Sequence, residues 1–293
     1  MNVTANINNA SKTVLFVFFE DSNSEPEVNI SEKEKASYNT LLHSTCNSYE
    51  QILRDWRFSY HMRMSKIKTF DTPLIYFNKF PALRQPFGYK FLVEDFNIKH
   101  PKANIQSIHK IWPHVAATIL EILRGKQIQA PDLYSMNVDQ AVLSLKVLPW
   151  LFQPVVLRNK IRNKNFKLSR IEMADRFLMH VRGFDELESK ICDRIDKLKE
   201  LDILIQPFLI AVGPLQCVQA YFVVLDNQRY LFNDCLTALD VTFKIFFALD
   251  LPFPSECKGM WQTIDQLVYK VNKNVDPSAS VVLSEIEHKF KKK

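Results

Sequence analysis

Glycine is scarce in this sequence, with 5 among 293 residues, where average usage of about 7% gives about twenty. Phosphate-binding loops and tight hairpin turns depend on the positive φ angles that glycine adopts without steric cost. The shortage therefore favours helices and argues against an all-β fold. The motifs GxGxxG, GxxxxGK[ST] and GxSxG are absent as well, which argues against nucleotide-binding loops and the common hydrolase elbow.

Long apolar runs are also missing near the N-terminus. Residues 14–19 (VLFVFF) are followed at once by Glu20 and Asp21. Six residues are too few for the apolar stretch of a signal peptide or for a membrane helix, which needs about 20. The five cysteines are widely spaced and contain no CxxC pair. Reduced thiols in a cytoplasmic or nuclear protein without membrane contact are therefore expected.

No metal-ligand pattern stands out among the histidines. His100, His109 and His114 are near one another in sequence, but ligands on one helix face need a spacing of three or four residues. The pair 109/114 is five apart, and no cysteine is close. The sequence therefore predicts no metal, no cofactor and no small-molecule ligand.

Candidate nucleophiles and acids are equally unspecific. His43 and Cys46 are three residues apart on a predicted helix, where a buried, inert thiol is the simpler interpretation. Cys217 and Cys235 are predicted to be small core residues, although a helix start at Cys235 could lower its thiol pKa. The neighbouring acids Glu94-Asp95 could cap a turn but specify no chemistry. The sequence accordingly predicts a protein that is not an enzyme.

Charge is distributed unevenly along the chain. The net charge of +6 divides into −4 for residues 1–50, +13 for residues 51–170 and −3 for residues 171–293. A strongly basic stretch attracts nucleic acid or acidic protein surfaces, provided that the fold brings its charges to one face.

The most basic segment covers residues 158–170 (RNKIRNKNFKLSR) and holds six cationic residues and no acidic one. On a helix, several of them would share one face and could meet phosphates, and Phe166 could stack on a base. The alternative is a solvated helix or loop whose charge keeps the protein in solution. No RRM, KH, helix-turn-helix or zinc-finger signature accompanies the segment. The candidate nucleic-acid-binding residues are Arg158, Lys160, Arg162, Lys164, Lys167 and Arg170.

Hydrophobic periodicity predicts an α+β protein that is mainly α. Residues 13–19 are typical of a short strand, and residues 22–35 of a flexible linker. Helices are expected at 38–68, 103–123, 138–157 and 171–182, and residues 70–91 as an ordered loop. A helix after Phe184 should begin with a capping box formed by Asp185 and Glu188 and carry an apolar stripe of Leu187, Ile191, Ile195 and Leu198. From Pro207 the period changes to two, which predicts strands at 208–212, 219–225 and 230–232.

Two helices, 236–249 and 255–271, should pack on these three strands, and residues 281–290 could form a last short helix. The predicted organisation is therefore a short strand with a flexible acidic segment (1–37), a helical basic region (38–205), a three-stranded antiparallel meander with two helices (206–272) and a charged C-terminal tail (273–293).

A set of short motifs carries a resemblance to a known family. The motifs are Phe80-Pro81-Ala82-Leu83, Trp112-Pro113, Gln206-Pro207-Phe208, Tyr221-Phe222-Val223-Val224 and Ala238-Leu239-Asp240-Val241-x-Phe243-Lys244. Across residues 54–272 the chain resembles a multi-copy family of animal proteins, frequent in fish and arthropod genomes, that has no assigned activity. The resemblance implies mobile-element ancestry and supplies no catalytic or ligand-binding residue.

Three functions remain open from the sequence. The first is nucleic-acid association through the basic middle region. The second is a protein-interaction scaffold that uses an apolar or acidic surface. The third is a degenerate transposon-derived nuclease, whose acids would assemble only in the fold.

Overall fold

The computed structural model describes residues 30–43, 48–67, 73–103, 108–128, 137–159, 164–201 and 203–291. The predicted strand at 13–19 and Cys46 are outside these residues. Helices dominate the described part, which confirms the prediction of a mainly helical α+β protein. Its α-helices are α1 (Glu32–Leu42), α2 (Tyr49–Phe58), α3 (Tyr60–Ile67), α4 (Pro73–Lys79), α5 (Tyr89–Lys99), α6 (Ile108–Gly125), α7 (Gln140–Val147), α8 (Arg170–Phe177), α9 (Phe184–Glu200), α10 (Cys235–Ala248), α11 (Lys258–Ile264) and α12 (Pro277–Phe290).

Six strands form two separate sheets in the described residues. An antiparallel hairpin joins β1 (Val156–Asn159) to β2 (Lys164–Lys167). The larger sheet contains β3 (Leu178–Val181), β4 (Phe208–Val212), β5 (Ala220–Leu225) and β6 (Gln228–Phe232), in that spatial order. β3 runs parallel to β4, and the other two pairs are antiparallel.

The predicted three-stranded antiparallel meander is therefore wrong in strand number and direction. β4, β5 and β6 occupy the three predicted positions, but β3 adds a fourth, parallel strand. β3 contains only four residues and follows the last residue of α8 without a gap. A short apolar stretch of this kind cannot be distinguished from the end of a helix by periodicity. Its pairing with β4 is made across α9, which completes a parallel β-α-β unit.

The larger sheet is covered on both faces. Leu209, Ala211 and Val223 point into the main core, which also contains most of α10. Ile210, Val212 and Val224 point to the opposite face, where α9 covers them with Leu187 and Ile191. The predicted apolar stripe of α9 is thus correct, because these two residues and Leu198 are buried.

α10 is the central helix of the main core. Asp234 caps its N-terminus by accepting a hydrogen bond from the Thr237 backbone N–H at 2.7 Å. Near its C-terminal half, the Phe243 ring stacks on the Tyr269 ring with centroids 3.8 Å apart. Trp261 of α11 packs edge-on against Phe246 at 5.2 Å. The large number of aromatic residues therefore serves core packing in this region.

The N-terminal helices are shorter than expected. The single helix predicted at 38–68 is three helices, α1 to α3, and α1 begins inside the predicted linker because Ser31 caps it by accepting from the Glu34 N–H. The predicted loop at 70–91 contains α4, a 3₁₀ turn at Pro81–Arg84 and the start of α5. Pro81 explains the turn, since proline fits the first position of a helix. Helix α6 continues through Pro113 without a break.

Two further boundaries differ from expectation. α9 begins at Phe184 after Gly183, so Asp185 lies in the first turn instead of capping the helix. The capping box of the structure is at α8, where Ser169 and Glu172 bond each other's backbone N–H groups at 2.7 and 3.1 Å. Residues 273–293, expected as a charged tail, contain α12, which buries Ala279, Val282 and Ile286 in the main core.

Candidate nucleic-acid interface

The basic segment forms a β-hairpin rather than the helix considered from the sequence. Val156 pairs with Lys167, Leu157 with Phe166, Arg158 with Asn165 and Asn159 with Lys164. A hydrogen bond of 2.9 Å from the Leu168 N–H to the Val155 carbonyl extends the ladder towards the body of the protein. Leu157 and Leu168 are buried, and they anchor the two strands to the core.

Local composition explains why this segment is not a helix. Val155 and Val156 are β-branched, and Pro154 precedes them. Asparagines occur at 159, 163 and 165, and asparagine is unfavourable inside helices because its side chain bonds nearby backbone groups. These features were present in the sequence, but the repeated cationic residues suggested a helical face instead.

The six predicted residues are distributed over the hairpin and the helix behind it. Arg158 is in β1, Lys164 and Lys167 are in β2, and Arg170 is the first residue of α8. Lys160 and Arg162 are outside the described residues. Lys167 is exposed, and so is Phe166, with 37% of its surface accessible. Arg170 is half-buried and donates from Nε to the Phe152 carbonyl at 3.4 Å.

Part of the basic charge of residues 51–170 is engaged within the protein. Several of its cations are used within the protein: Arg57 pairs with Glu94, Arg63 with Asp95, Lys99 with Asp250 and Lys126 with Glu285. Lys146 donates to the Leu178 carbonyl at 3.1 Å, and burial lowers the pKa of its ammonium group. These five cations are therefore engaged within the protein, whereas Lys167 of the hairpin is exposed.

A buried ion pair that sequence reasoning missed holds α2, α3 and α5 together. The Arg63 guanidinium contacts both oxygens of Asp95 at 2.7 Å, and both side chains are fully buried. Arg63 also donates to the Tyr76 hydroxyl, the Trp56 carbonyl and the Ser59 hydroxyl. Trp56 Nε1 donates to Asp95 Oδ1 at 2.9 Å.

Neighbouring groups keep the Arg63 guanidinium charged although it is fully buried. Burial alone would lower the pKa of Arg63, but Asp95 and Tyr76 outweigh it and raise that pKa. Burial raises the pKa of the Asp95 carboxyl, and the hydrogen bonds from Arg63 and Trp56 oppose the rise. Because no solvent reaches the pair, it serves the packing of three helices and is inaccessible to a ligand. Asp95 does not cap a turn as the sequence suggested.

A second polar group is at the start of α10. His109 of α6 contacts Asp234 Oδ2 at 2.7 Å, and the Thr237 hydroxyl donates to the same oxygen at 2.7 Å. Burial acts to raise the pKa of Asp234, but the hydrogen bonds from Thr237 and His109 prevail and lower it. The neighbouring Cys235 is buried, and burial together with Asp234 raises the pKa of its thiol. The thiol therefore stays protonated, contrary to the lowered pKa considered from the sequence.

In the part of the chain that the structure describes, the remaining cysteines and histidines form no ligand set. Cys192 and Cys217 are exposed and Cys257 is buried, all as free thiols, so the prediction that Cys217 is a core residue is wrong. Across the described ranges, no group of three or more His, Cys, Asp or Glu side chains could hold a metal ion. No helix in those ranges is long and apolar enough to cross a membrane.

Comparison with protein-family models, with curated proteins and with solved structures finds no match for this chain. The resemblance drawn from the sequence motifs therefore stays a prediction, and the residues themselves carry the functional argument.

Proposed function

We propose that this protein binds nucleic acid without strong sequence preference through the β1–β2 hairpin and its flanks. The observation that carries the proposal is a separate two-stranded ribbon, β1 and β2. Residues 158–170, which include most of this ribbon, contain six cationic residues and no acidic one. Buried Leu157 and Leu168 fix the base of the ribbon. Val156 and Phe166, which are 55% and 37% exposed, accompany Lys167 on its accessible surface.

Duplex DNA is the form of nucleic acid that such a ribbon fits. The major groove of B-form DNA, about 12 Å wide, admits a two-stranded β-ribbon. The major groove of an RNA duplex is deep and too narrow for side chains to read. Lysine and arginine contacts to phosphate position a protein on the duplex and carry no base readout. We therefore expect a preference for DNA duplexes over RNA duplexes and little discrimination among DNA sequences.

The first prediction concerns the salt dependence of this binding. If Arg158, Lys160, Arg162, Lys164, Lys167 and Arg170 supply about four phosphate contacts, log K should fall against log salt with a slope of about −3.6, at about −0.9 per contact. Changing Arg162 and Lys164 together to alanine should flatten the slope by about two units. Fluorescence anisotropy of a labelled DNA duplex, titrated at several salt concentrations, measures both slopes.

A matched control removes two charges elsewhere. The side chains of Lys110 on α6 and Lys190 on α9 are exposed and form no hydrogen bond or ion pair within the described residues. The variant Lys110→Ala with Lys190→Ala should therefore keep the wild-type slope. Absence of binding at about 50 mM salt, or equal slopes for the two double variants, would contradict the proposal.

A further inference from the structure

A cleft opens between α4 and the turn that joins β5 to β6. Phe77 and Asn78 of α4 and Arg84 of the 3₁₀ turn form one side, and residues 225–228 form the other. Its volume of about 490 Å³ falls within the range of about 300–1,000 Å³ that is typical of small-molecule sites. None of the residues that line it belongs to the β1–β2 hairpin, so the cleft is independent of the proposed nucleic-acid contact.

Contacts with the body of the protein hold both sides of the cleft. The buried Tyr230 side chain of β6 donates its hydroxyl hydrogen to the Leu83 carbonyl of the 3₁₀ turn at 2.6 Å. Phe77 and Leu225 are 3% and 1% exposed, and both belong to the main core. The cleft is therefore formed before any ligand enters, which keeps the ordering cost of binding small.

The lining of the cleft carries one positive and one negative side chain, and the two are not paired with each other. The exposed Arg84 guanidinium donates to Asn78 Oδ1. On the other side, the half-buried Asp226 carboxylate forms no hydrogen bond or ion pair within the described residues. Burial raises the pKa of this carboxyl, and Lys199 opposes the rise only in part. A cationic ligand group placed beside Asp226 would therefore be stabilised.

The conformation of the turn explains how a carboxylate comes to line the cleft. Asp226 is the first of the two residues between Leu225 and Gln228, and its φ is 52°. This left-handed region is open to glycine and, among the other residues, is tolerated best by asparagine and aspartate. Aspartate thus supplies a charged side chain at a position where glycine would supply none.

The two charges decide which class of ligand the cleft can hold. Phosphate or another simple anion would be attracted to Arg84 but repelled by the Asp226 carboxylate. A simple cation would be attracted to Asp226 but repelled by Arg84. Like charges that face each other across an interface oppose binding, whereas a molecule with one charge of each sign complements both side chains. Phe77 and Leu225 add an apolar surface to the same cleft.

We propose that the cleft binds a zwitterionic α-amino acid with a large apolar side chain. The carboxylate of the ligand contacts the Arg84 guanidinium, its ammonium group contacts the Asp226 carboxylate, and its side chain packs on Phe77 and Leu225. The side-chain amides of Asn227 and Gln228 also line the cleft. Because an amide both donates and accepts hydrogen bonds, these two residues can serve either charged end of the ligand.

Chemical-shift titration of the full chain by NMR tests the site, with L-phenylalanine as the probe. Saturable shifts should appear at the amides of residues 225–228 and of Phe77 and Asn78. Phenylalanine amide lacks the carboxylate and N-acetylphenylalanine lacks the ammonium group. Each should bind at least about tenfold more weakly, because a hydrogen bond to a charged group contributes about that factor or more.

Three outcomes of this titration would overturn the proposal. The first is the absence of saturable shifts at these residues up to about 10 mM phenylalanine, which is weaker than the millimolar range of small-ligand binding. The second is equal affinity for phenylalanine and its two derivatives. The third is displacement of phenylalanine by an equal concentration of inorganic phosphate, which would assign the cleft to simple anions.

Two substitutions match each charge of the ligand to its partner. Asp226→Asn keeps a residue that tolerates the turn, and it should weaken phenylalanine binding about tenfold while leaving N-acetylphenylalanine binding unchanged. Arg84→Gln should weaken phenylalanine binding to a similar extent while leaving phenylalanine amide binding unchanged. Asp193→Asn, at an exposed position of α9, is the matched control and should bind like the wild type. If either cleft variant weakened all three compounds equally, the assigned contacts would be wrong and the zwitterion site would be rejected.

Discussion

At the scale of single residues, Arg63 and Asp95 form an ion pair whose two side chains are fully buried. All five N–H groups of the guanidinium are engaged, by Asp95, Tyr76, Ser59 and the Trp56 carbonyl. Removing one partner of a buried ion pair leaves an uncompensated charge, whereas replacing both by apolar groups of similar volume is often nearly neutral. The pair therefore predicts strongly non-additive effects of substitution.

We expect Asp95→Ala to lower the free energy of unfolding by about 3–5 kcal/mol. The double variant Arg63→Met with Asp95→Leu should cost less than this single change, although the Trp56 indole N–H then loses its acceptor. Urea unfolding followed by far-UV circular dichroism provides both values. A double variant at least as unstable as the sum of the two single variants would show that the pair is not coupled in this way.

At the scale of elements, there is a physical reason why some helices and strands could be predicted from the sequence and others could not. Local signals placed β4, β5 and β6 and the apolar stripe of α9, because periodicity and turn residues act over a few positions. β3 and the Arg63–Asp95 pair depend on partners about 30 residues away. No local pattern reports such contacts. The sequence did not predict the boundaries of α1 to α3, because the capping residues Ser31 and Ser48 lie within polar segments and do not stand out there.

The hairpin likewise combines a feature that the sequence predicts with one that it does not. The sequence identified its charge, but it did not identify the pairing of residues 156–159 with 164–167. Among the six candidate residues, the structure places Arg158, Lys164 and Lys167 on two adjacent strands and Arg170 behind them. Charge is readable from composition, whereas its arrangement depends on the competition between strand and helix. The three asparagines disfavour a helix, and the β-branched residues favour a strand.

The hairpin should be dispensable for stability and necessary for binding. Replacing residues 160–163 by Asn-Gly and Lys164 by threonine keeps the hydrogen-bonded pair of residues 159 and 164 beside a two-residue turn of the favoured kind and removes Lys160, Arg162 and Lys164. Leu157 and Leu168 remain as anchors. We expect the free energy of unfolding to change by less than about 1 kcal/mol, because the buried anchors are unchanged and loop length alone has a small effect on stability. The salt slope of DNA binding should flatten by about 2.7 units, for three lost contacts.

A full-length control separates charge from shape. Changing Lys160, Arg162 and Lys164 to serine keeps the loop length and removes the same three charges. It should reproduce the reduced slope, measured by anisotropy as for the other variants. If the serine variant binds like the wild type while the shortened hairpin does not, the loop would act through its shape and the phosphate-contact interpretation would be wrong.

At the scale of the whole molecule, one apolar core runs from the first to the last described helix. Buried residues of this core include Tyr38 in α1, Trp56 in α2, Phe243 in α10 and Ile286 in α12. Ion pairs also join residues that are far apart in sequence: Lys99 pairs with Asp250, and Lys126 pairs with Glu285. Because packing at one end supports packing at the other, we infer that the described helices and the larger sheet unfold together.

The core therefore predicts a single unfolding transition. Urea curves recorded by tryptophan fluorescence, which reports on Trp56, Trp112, Trp150 and Trp261, and by far-UV circular dichroism should coincide. Ile286→Ala, a fully buried truncation in α12, should lower the free energy of unfolding by about 2–5 kcal/mol and shift both curves equally. Val281→Ala on the same helix is the control, since Val281 is 68% exposed and its truncation should move neither curve by more than about 0.5 kcal/mol.

Separate midpoints, or a shift confined to one probe, would mean that α12 and the N-terminal helices belong to independent units. Coincident curves would instead mean that the Arg63–Asp95 pair contributes to the stability of the whole described fold. The reason is that α2, α3 and α5 could not unfold without exposing the core that they share with α10.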